Sequence, residues 1–283
     1  PYQHEAVNRV RELMKTAKRL RVILQAETGA GKTCMALEPI RLAYEKGKRV
    51  LFACSGRELV KQADVHLWGW GIPHGIIMNG EEFTPATIQI CSKETLVSRA
   101  GKRGSMTLPP ADLIIADECH LSTSKWWRWL LNAYPNTTAI IGLTATPIGP
   151  QGKSLDEFDG LVQALPTSQL IAQKWLVPTK VFAPYLPDLK GVPTDKNGEY
   201  AKNPLAARMD RLDLVGDLVQ HWTELGAGRQ TIVYAVNIAH SLHIQQEFIR
   251  AGIPCAHVDG KTPTEQRDDT IESLRDNNSL CFL

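Results

Sequence analysis

Ala26-Glu27-Thr28-Gly29-Ala30-Gly31-Lys32-Thr33 follows an apolar run, Val22-Ile23-Leu24, and precedes a helix-forming one, Cys34-Met35-Ala36-Leu37-Glu38. Strand, glycine-bearing loop and helix in that order are the setting a phosphate-binding loop requires. Gly29 and Gly31 let backbone N–H groups turn onto phosphate oxygens with no Cβ in the way. The helix that follows brings the partial positive charge of its N-terminus to the same place. On this reading Thr28, Gly29, Ala30, Gly31, Lys32 and Thr33 cradle the phosphates of a nucleotide. Lys32 reaches the β and γ phosphates and the Thr33 hydroxyl ligates Mg²⁺. Ala26 stands where the pattern usually has its first glycine, so the motif is met in its looser form. The competing reading is an ordinary glycine turn between a strand and a helix, which the motifs farther along the chain disfavour.

Working outward, 283 residues are enough for two domains of ordinary size. A hydrophobic content of 43% with 22% charged residues is that of a soluble globular protein. No apolar run approaches the roughly 18 residues of a membrane span, so no membrane partner is expected. A net charge of +2 gives no bulk attraction to a polyanion, so any nucleic-acid contact must come from local placement of Lys and Arg. The six cysteines form no C-x-x-C pair, and several sit in strand-like runs; they read as reduced, mostly buried thiols of a cytoplasmic protein. The chain has no initiator Met and ends inside a strand-like run, Ser279 to Leu283, which reads as a fragment.

Strand-like and helix-like segments alternate along the first half. Residues 3–19 have helical spacing. Strands are expected at 49–54, 76–78, 87–91, 113–116 and 138–143, and a helix at 57–67. Leu113-Ile114-Ile115-Ala116 is apolar at every position, as in a parallel sheet covered on both faces. From about Pro147 to Met209 the pattern breaks down, with one short ordered piece near 161–181. A second α/β pattern then starts, with helices at 210–225, 239–251 and 263–276, the last capped by Thr262, and strands at 231–236 and 255–258. The fold class expected is therefore α/β: two RecA-like parallel-sheet domains, the second incomplete. The boundaries are 1–160 for the first domain, 161–209 for a connection and 210–283 for the second domain.

In parallel sheets of this kind ligands bind at the carboxyl ends of the strands. Asp117-Glu118-Cys119-His120 sits at such an end. Two adjacent acids there are costly unless a cation is held. Asp117 is placed to hold Mg²⁺, and Glu118 to accept a proton from water attacking a γ-phosphate. Alone, the pair could also be two solvated acids capping the next helix. Thr144-Ala145-Thr146 ends the following strand, where its hydroxyls could bond the acid cluster or His120. Trp126, Trp127 and Trp129 follow the acids at helical spacing and read as packing residues. Lys102-Arg103 reads as a solvated pair.

Taken together, A-x-x-G-x-G-K-T, D-E-C-H and T-A-T at this spacing resemble the superfamily 2 helicases and translocases, DEAD/DEAH-box-like, and the resemblance covers nearly the whole chain. Within that superfamily the chain resembles the bacterial and phage RadD/YejH-like group, and is similar also to phage UvsW-type and restriction-type motors. The resemblance implies that Gln3, in Pro1-Tyr2-Gln3, reads adenine, so the cofactors are ATP and Mg²⁺. It implies nucleic-acid backbone contacts from Arg57, from Ser92 and Thr95, and from Gly260, Lys261 and Thr262. It gives His120, Thr144 and Thr146 a part in coupling the nucleotide to the second domain. D-E-C-H in place of D-E-A-D favours single-stranded or branched DNA over RNA. The implied activity is ATP-driven strand movement or unwinding by a monomer in the cytoplasm of a bacterial or phage-infected cell. The alternative is a nucleotide-gated DNA translocase subunit of a restriction or repair system that does no unwinding of its own. A P-loop enzyme of small-molecule metabolism is disfavoured by the second α/β half. The family's last two motifs, with the arginine finger that is worth ~10³- to 10⁵-fold in comparable NTPases, are expected beyond Leu283. The chain as it stands is therefore expected to bind nucleotide and hydrolyse it slowly.

Overall fold

A computed structural model describes the chain apart from residues 124, 150–151, 183–186, 195–198, 211, 227, 276–279 and 283, with backbone alone at 102, 122–123, 125–126, 212–216, 264, 275 and 280–282. The side chains of Lys102, Trp126 and Cys281, and all of Ser279 and Leu283, thus lie outside the described residues. Two compact units result, Pro1–Lys180 and Val181–Leu283.

The first unit is built on seven parallel strands: β1 (Arg21–Gln25), β2 (Val50–Cys54), β3 (Gly75–Ile77), β4 (Ile88–Ser92), β5 (Leu113–Ala116), β6 (Ala139–Thr144) and β7 (Gly160–Gln163). Their order across the sheet is β3-β4-β2-β5-β6-β1-β7. The helices are α1 (Tyr2–Thr16), α2 (Lys32–Glu45), α3 (Arg57–Gly69), the short α4 (Lys93–Leu96), α5 (Lys125–Asn132) and α6 (Thr167–Ala172). The central strands are apolar throughout because both faces are covered. Val22 and Leu24, Phe52, and Leu113 and Ile115 point into one core with α1 and α2. Ile23, Leu51 and Ala53, and Ile114 and Ala116 point into the other, with Trp127 and Leu130. The period of two along each strand thus feeds two cores. Trp127 is a core residue, as its spacing implied, and Lys93 lies over its ring at 5.5 Å.

Two segments differ from the sequence expectation. Gly160–Gln163, which straddles the boundary expected between the first domain and the connection, pairs in parallel with β1 as the edge strand β7, and the first unit runs to Lys180. Four residues, only one of them fully buried, leave too little periodicity to read. Lys202–Met209, taken as polar connection, is a helix, α7. Its Pro204 falls in the first turn, where a missing N–H costs nothing. The first helix also stops at Thr16, where Ala17 turns extended.

The second unit contains α7, α8 (Leu212–Leu225), α9 (Ile238–Arg250) and α10 (Thr264–Arg275), with β8 (Ile232–Val233), β9 (Cys255–His257) and β10 (Leu280–Phe282). The three strands are parallel in the order β8-β10-β9. Asn237 caps α9 by accepting the His240 N–H at 2.9 Å. Phe248 of α9 is fully buried and meets Trp222 edge to face at 5.7 Å.

One glycine fixes the fit between β6 and the segment after β5. A Cβ on Gly142 would come within 2.8 Å of Cys119 Sγ and 2.7 Å of the Phe158 ring. Gly142→Ala should therefore cost ~1–3 kcal/mol of stability through overpacking. Gly69→Ala, at a helical position with nothing within 4 Å, should be neutral or slightly stabilising. Denaturant titration of the two variants beside the parent checks both; equal midpoints for all three would contradict the packing account.

Candidate active site

The phosphate loop leaves β1 with the Ala26 N–H donating to the Thr144 carbonyl at 2.9 Å. It turns through two left-handed glycines, Gly29 at φ 80° and Gly31 at φ 79°. Its conformation is braced from outside. The Tyr2 hydroxyl donates to the Ala30 carbonyl at 2.7 Å, and the Gln3 side-chain amide donates to the same oxygen at 3.1 Å. A Cβ at Gly31 would lie 2.4 Å from Gln3 Nε2, so the absent side chain is what lets Gln3 cross the loop. Leu176 closes on the other glycine, 3.0 Å from where a Gly29 Cβ would stand. Lys32 opens α2, and its ammonium donates to the Ala26 carbonyl at 3.4 Å. Thr28 is exposed and Thr33 half-buried. Tyr2 and Leu176 were not singled out from the sequence. Tyr2 sits in the same Pro-Tyr-Gln run as Gln3, whereas nothing local marks Leu176.

The acid motif leaves β5 two strands away. The Asp117 N–H donates to the Ala53 carbonyl at 2.9 Å, which extends the ladder by one residue. Asp117 is 9% exposed, and its carboxylate accepts the Glu118 N–H at 3.0 Å. Burial, then the neighbouring Glu118 charge, push the Asp117 carboxyl above its ordinary range, while Lys32 and His120 pull it back. Glu118 adopts φ 50°, left-handed for a residue with a side chain. Such strain costs ~1–3 kcal/mol and is kept where the surroundings dictate it. Cys119 is fully buried, and burial raises its thiol pKa. It is a packing plug between β5 and β6.

Strand β6 lies between β1 and β5, so Thr144 stands between loop and acids. Its hydroxyl donates to the Thr146 carbonyl at 3.0 Å and accepts the Thr146 N–H at 3.0 Å. His120 Nδ1 is 3.1 Å from the same hydroxyl and 3.2 Å from Glu118 Oε2. With the threonine proton spent on Thr146, both neighbours of Nδ1 are acceptors. Nδ1 therefore carries a proton and Nε2 of the neutral ring is the free acceptor. Among the residues expected in the site, Gln3, the loop, Asp117, Glu118, His120, Thr144 and Thr146 are thus linked by direct contacts or through one intermediary.

The two segments expected to face a nucleic-acid backbone meet at the ends of neighbouring strands, with Cys54 opposite Ser92. Lys93 Nζ donates to Ser55 Oγ at 3.1 Å, and the Gly56 N–H donates to Glu94 Oε2 at 3.3 Å. Arg57 is exposed at the start of α3, 4.0 Å from Glu81. Ser92 is buried; its hydroxyl donates to Glu94 and accepts the Thr95 N–H, so its one proton is spent inside the protein. In the second unit Asp259 Oδ1 accepts the N–H groups of Lys261 (2.8 Å) and Thr262 (3.0 Å). That turn leaves Gly260 and Lys261 exposed. The Thr262 hydroxyl closes the turn with Asp259.

Among the described residues no helix is long and apolar enough to cross a membrane. Residues 1–149 match the family described as type III restriction enzyme, res subunit. The chain belongs to this family. It is 29% identical over 254 residues to a 51.5 kDa protein of a Lactococcus phage, a match covering 89% of this chain and 52% of the relative. It is 25% identical over 295 residues to irc3 of Schizosaccharomyces pombe, which carries the name of a mitochondrial ATP-dependent helicase. That match covers 97% of this chain and 47% of irc3. The chain thus spans about half the length of the curated relatives it matches. The Pyrococcus furiosus Hef helicase domain shares the fold, with a TM-score of 0.56 and 14% identity over 96% of this chain and 84% of that one. These matches bear out the α/β fold and the helicase-family resemblance, and leave the narrower RadD/YejH-like grouping as a resemblance.

The raised pKa of Asp117 has a stability consequence. A carboxyl whose folded pKa lies above its unfolded value of about 3.9 weighs on folding once pH exceeds that folded pKa, and the penalty is absent below the unfolded one. Asp117→Asn should therefore raise the melting temperature at pH 7 in metal-free buffer. The gain should shrink to nothing as pH falls towards 4. A melting series of both proteins from pH 4 to 8 checks this, and a gain independent of pH would contradict it.

Proposed function

We propose that this res-subunit family member is the nucleotide-binding part of an ATP-driven nucleic-acid motor. The observation that carries the reading is the joining of phosphate loop, acid pair and coupling threonine through Thr144. In this reading the loop N–H groups and Lys32 hold the β and γ phosphates. Glu118 takes the proton of the attacking water, and His120, its Nδ1–H shared between Glu118 and Thr144, orients that carboxylate.

Mg²⁺ suits the residues present. It is typically held by one or two carboxylates, water and substrate phosphates. Asp117, a nearly buried carboxylate with an unfavourable charge, and the Thr33 hydroxyl form such a partial set. When bound, the ion neutralises charge developing on the β and γ phosphate oxygens.

The nucleic acid is best read as single-stranded or branched DNA, contacted through its backbone. The groups on offer, the exposed Arg57, the half-buried Lys93 and Thr95 and, in the second unit, the exposed Lys261, carry no donor–acceptor pattern of a base edge. Binding should therefore be independent of sequence and weaken with salt. A second reading is favoured by the family match itself: a translocase subunit serving a separate nuclease, turning over ATP without separating strands. A strand-displacement assay on the complete protein tells the two apart.

ATP turnover by the complete protein should rise when single-stranded DNA is added. Lys32→Ala should abolish it. Glu118→Gln should lower kcat by ~10²- to 10⁴-fold while leaving ATP binding intact, as expected for loss of a general base. Turnover that is indifferent to DNA, or that survives Lys32→Ala, would sink the proposal.

A further inference from the structure

The carboxylate of Glu94 lies among the groups expected to meet a nucleic-acid backbone. Its Oε2 accepts the Gly56 N–H at 3.3 Å and the Ser92 hydroxyl at 3.0 Å, and its Oε1 stands 3.4 Å from Lys93 Nζ. We infer that Glu94 is an internal stand-in for a backbone phosphate, which occupies these donors in the free protein and is displaced when a nucleic-acid phosphate binds. The inference deepens the nucleic-acid reading above and rests on it.

A backbone N–H, a hydroxyl and an ammonium converging on one anion are the groups with which proteins position a nucleic-acid backbone. Here they come from the ends of two paired strands. Gly56 follows β2, while Ser92 ends β4 and Lys93 opens α4. Lys93 is held in place: its side chain is 16% exposed, and its ammonium donates to Ser55 Oγ at 3.1 Å and lies over the Trp127 ring. Gly56 is exposed, turns through φ 83° and has open space where a Cβ would stand. A phosphate can thus approach its N–H with no side chain in the way.

Glu94 itself is free to leave. Its side chain is 55% exposed, so the carboxylate can be released into water while the donors stay fixed to the sheet. Burial works against its charge, but its own N–H, the Lys93 ammonium and the bonds from Gly56 and Ser92 outweigh that and hold the carboxyl below its ordinary range. At neutral pH it is therefore an anion that only accepts hydrogen bonds, as a phosphate diester does. The neighbouring Arg57 is paired in the same manner but more loosely, with Glu81 at 4.0 Å.

Such an arrangement suits a protein that moves along a nucleic acid. Each phosphate has to be released as well as held, and a donor left without an acceptor costs more than its bond gains. A carboxylate that returns to the donors removes that cost. Each contact then becomes the exchange of one anion for another, weak enough to reverse.

Fluorescence anisotropy of a labelled oligodeoxythymidylate with the complete protein, repeated over a range of salt concentrations, tests the assignment, with melting curves confirming that each variant folds. Glu94→Gln keeps the shape and an acceptor oxygen but removes the charge, and should bind the oligonucleotide about fivefold more tightly at low salt. Its affinity should also fall more steeply with salt, by about one ion, because in the parent the displaced carboxylate takes up a cation and offsets one released from the DNA. The DNA concentration that half-saturates ATP turnover should fall by the same factor as the dissociation constant. Glu94→Asp, which keeps the charge but is one methylene shorter, should show a smaller gain. Glu58→Gln removes an exposed charge beside Arg57 that, among the described residues, bonds to none of these donors, and should change affinity by less than about twofold. A folded Glu94→Gln protein that binds no more tightly than Glu58→Gln, or more weakly than the parent, would overturn the inference and leave Glu94 a brace between the two segments. Failure of the parent to bind the oligonucleotide, or binding indifferent to salt, would instead bring down the nucleic-acid reading and the inference with it.

Discussion

Thr144 is the residue through which the two halves of the candidate site hold each other. Its carbonyl accepts the first N–H of the phosphate loop, and its hydroxyl sits against the imidazole that touches Glu118. Each bond contributes only ~1 kcal/mol net, but Thr144 is fully buried, so leaving any of them unmade would cost more than making it gains. Strand order makes the arrangement possible. With β6 inserted between β1 and β5, one residue at its carboxyl end is adjacent to both neighbours. Loop and acid pair are therefore joined through one buried residue, Thr144, and the His120 imidazole.

The acid pair itself is held in an unfavourable state. Asp117 is nearly buried with a neighbouring carboxylate beside it, and Glu118 carries a left-handed backbone. Neither feature helps the fold. Both are tolerated because β5 is locked by its ladder and because Cys119, packed against the space left by Gly142, pins the chain directly after Glu118. Stability supplied by the sheet offsets strain at the carboxyl end of its central strand, a common division of labour at sites that bind charge. The tautomer of His120 follows from the same geometry, since two acceptors on Nδ1 leave no alternative for the neutral ring.

Much of this was legible in the sequence, for identifiable reasons. The phosphate loop and the acid motif lie at the ends of apolar runs that can only be buried strands, and their residue types have few other uses. That the strand carrying Thr144 should lie near the one carrying Asp117 was expected, with its hydroxyls on the acid cluster or His120; the structure sets Thr144 on His120. What escaped was information carried by long-range packing. β7 is four residues long and half solvated, so it has no pattern of its own; pairing with β1 makes it a strand. Leu176 lies far along the chain from Gly29, and nothing around it signals the contact. Ser92 was expected to face a nucleic-acid backbone; in the structure its hydroxyl donates to Glu94 and caps the Thr95 N–H. A serine before a short helix is a cap first, and its exposure cannot be read from type alone.

The bracing of the phosphate loop bears on affinity as well as on shape. A loop of two left-handed glycines would ordinarily sample many conformations, and an anion would have to order it at the expense of binding free energy. Here Tyr2 and Gln3 both donate to the Ala30 carbonyl and Leu176 occupies the space over Gly29. Three side chains from outside the loop thus hold the peptide between its glycines before any ligand arrives. Two of them come from α1, which also walls a cavity beside the loop. The element that fixes the phosphate cradle therefore also walls the cavity beside it, so the geometry of both depends on how α1 docks.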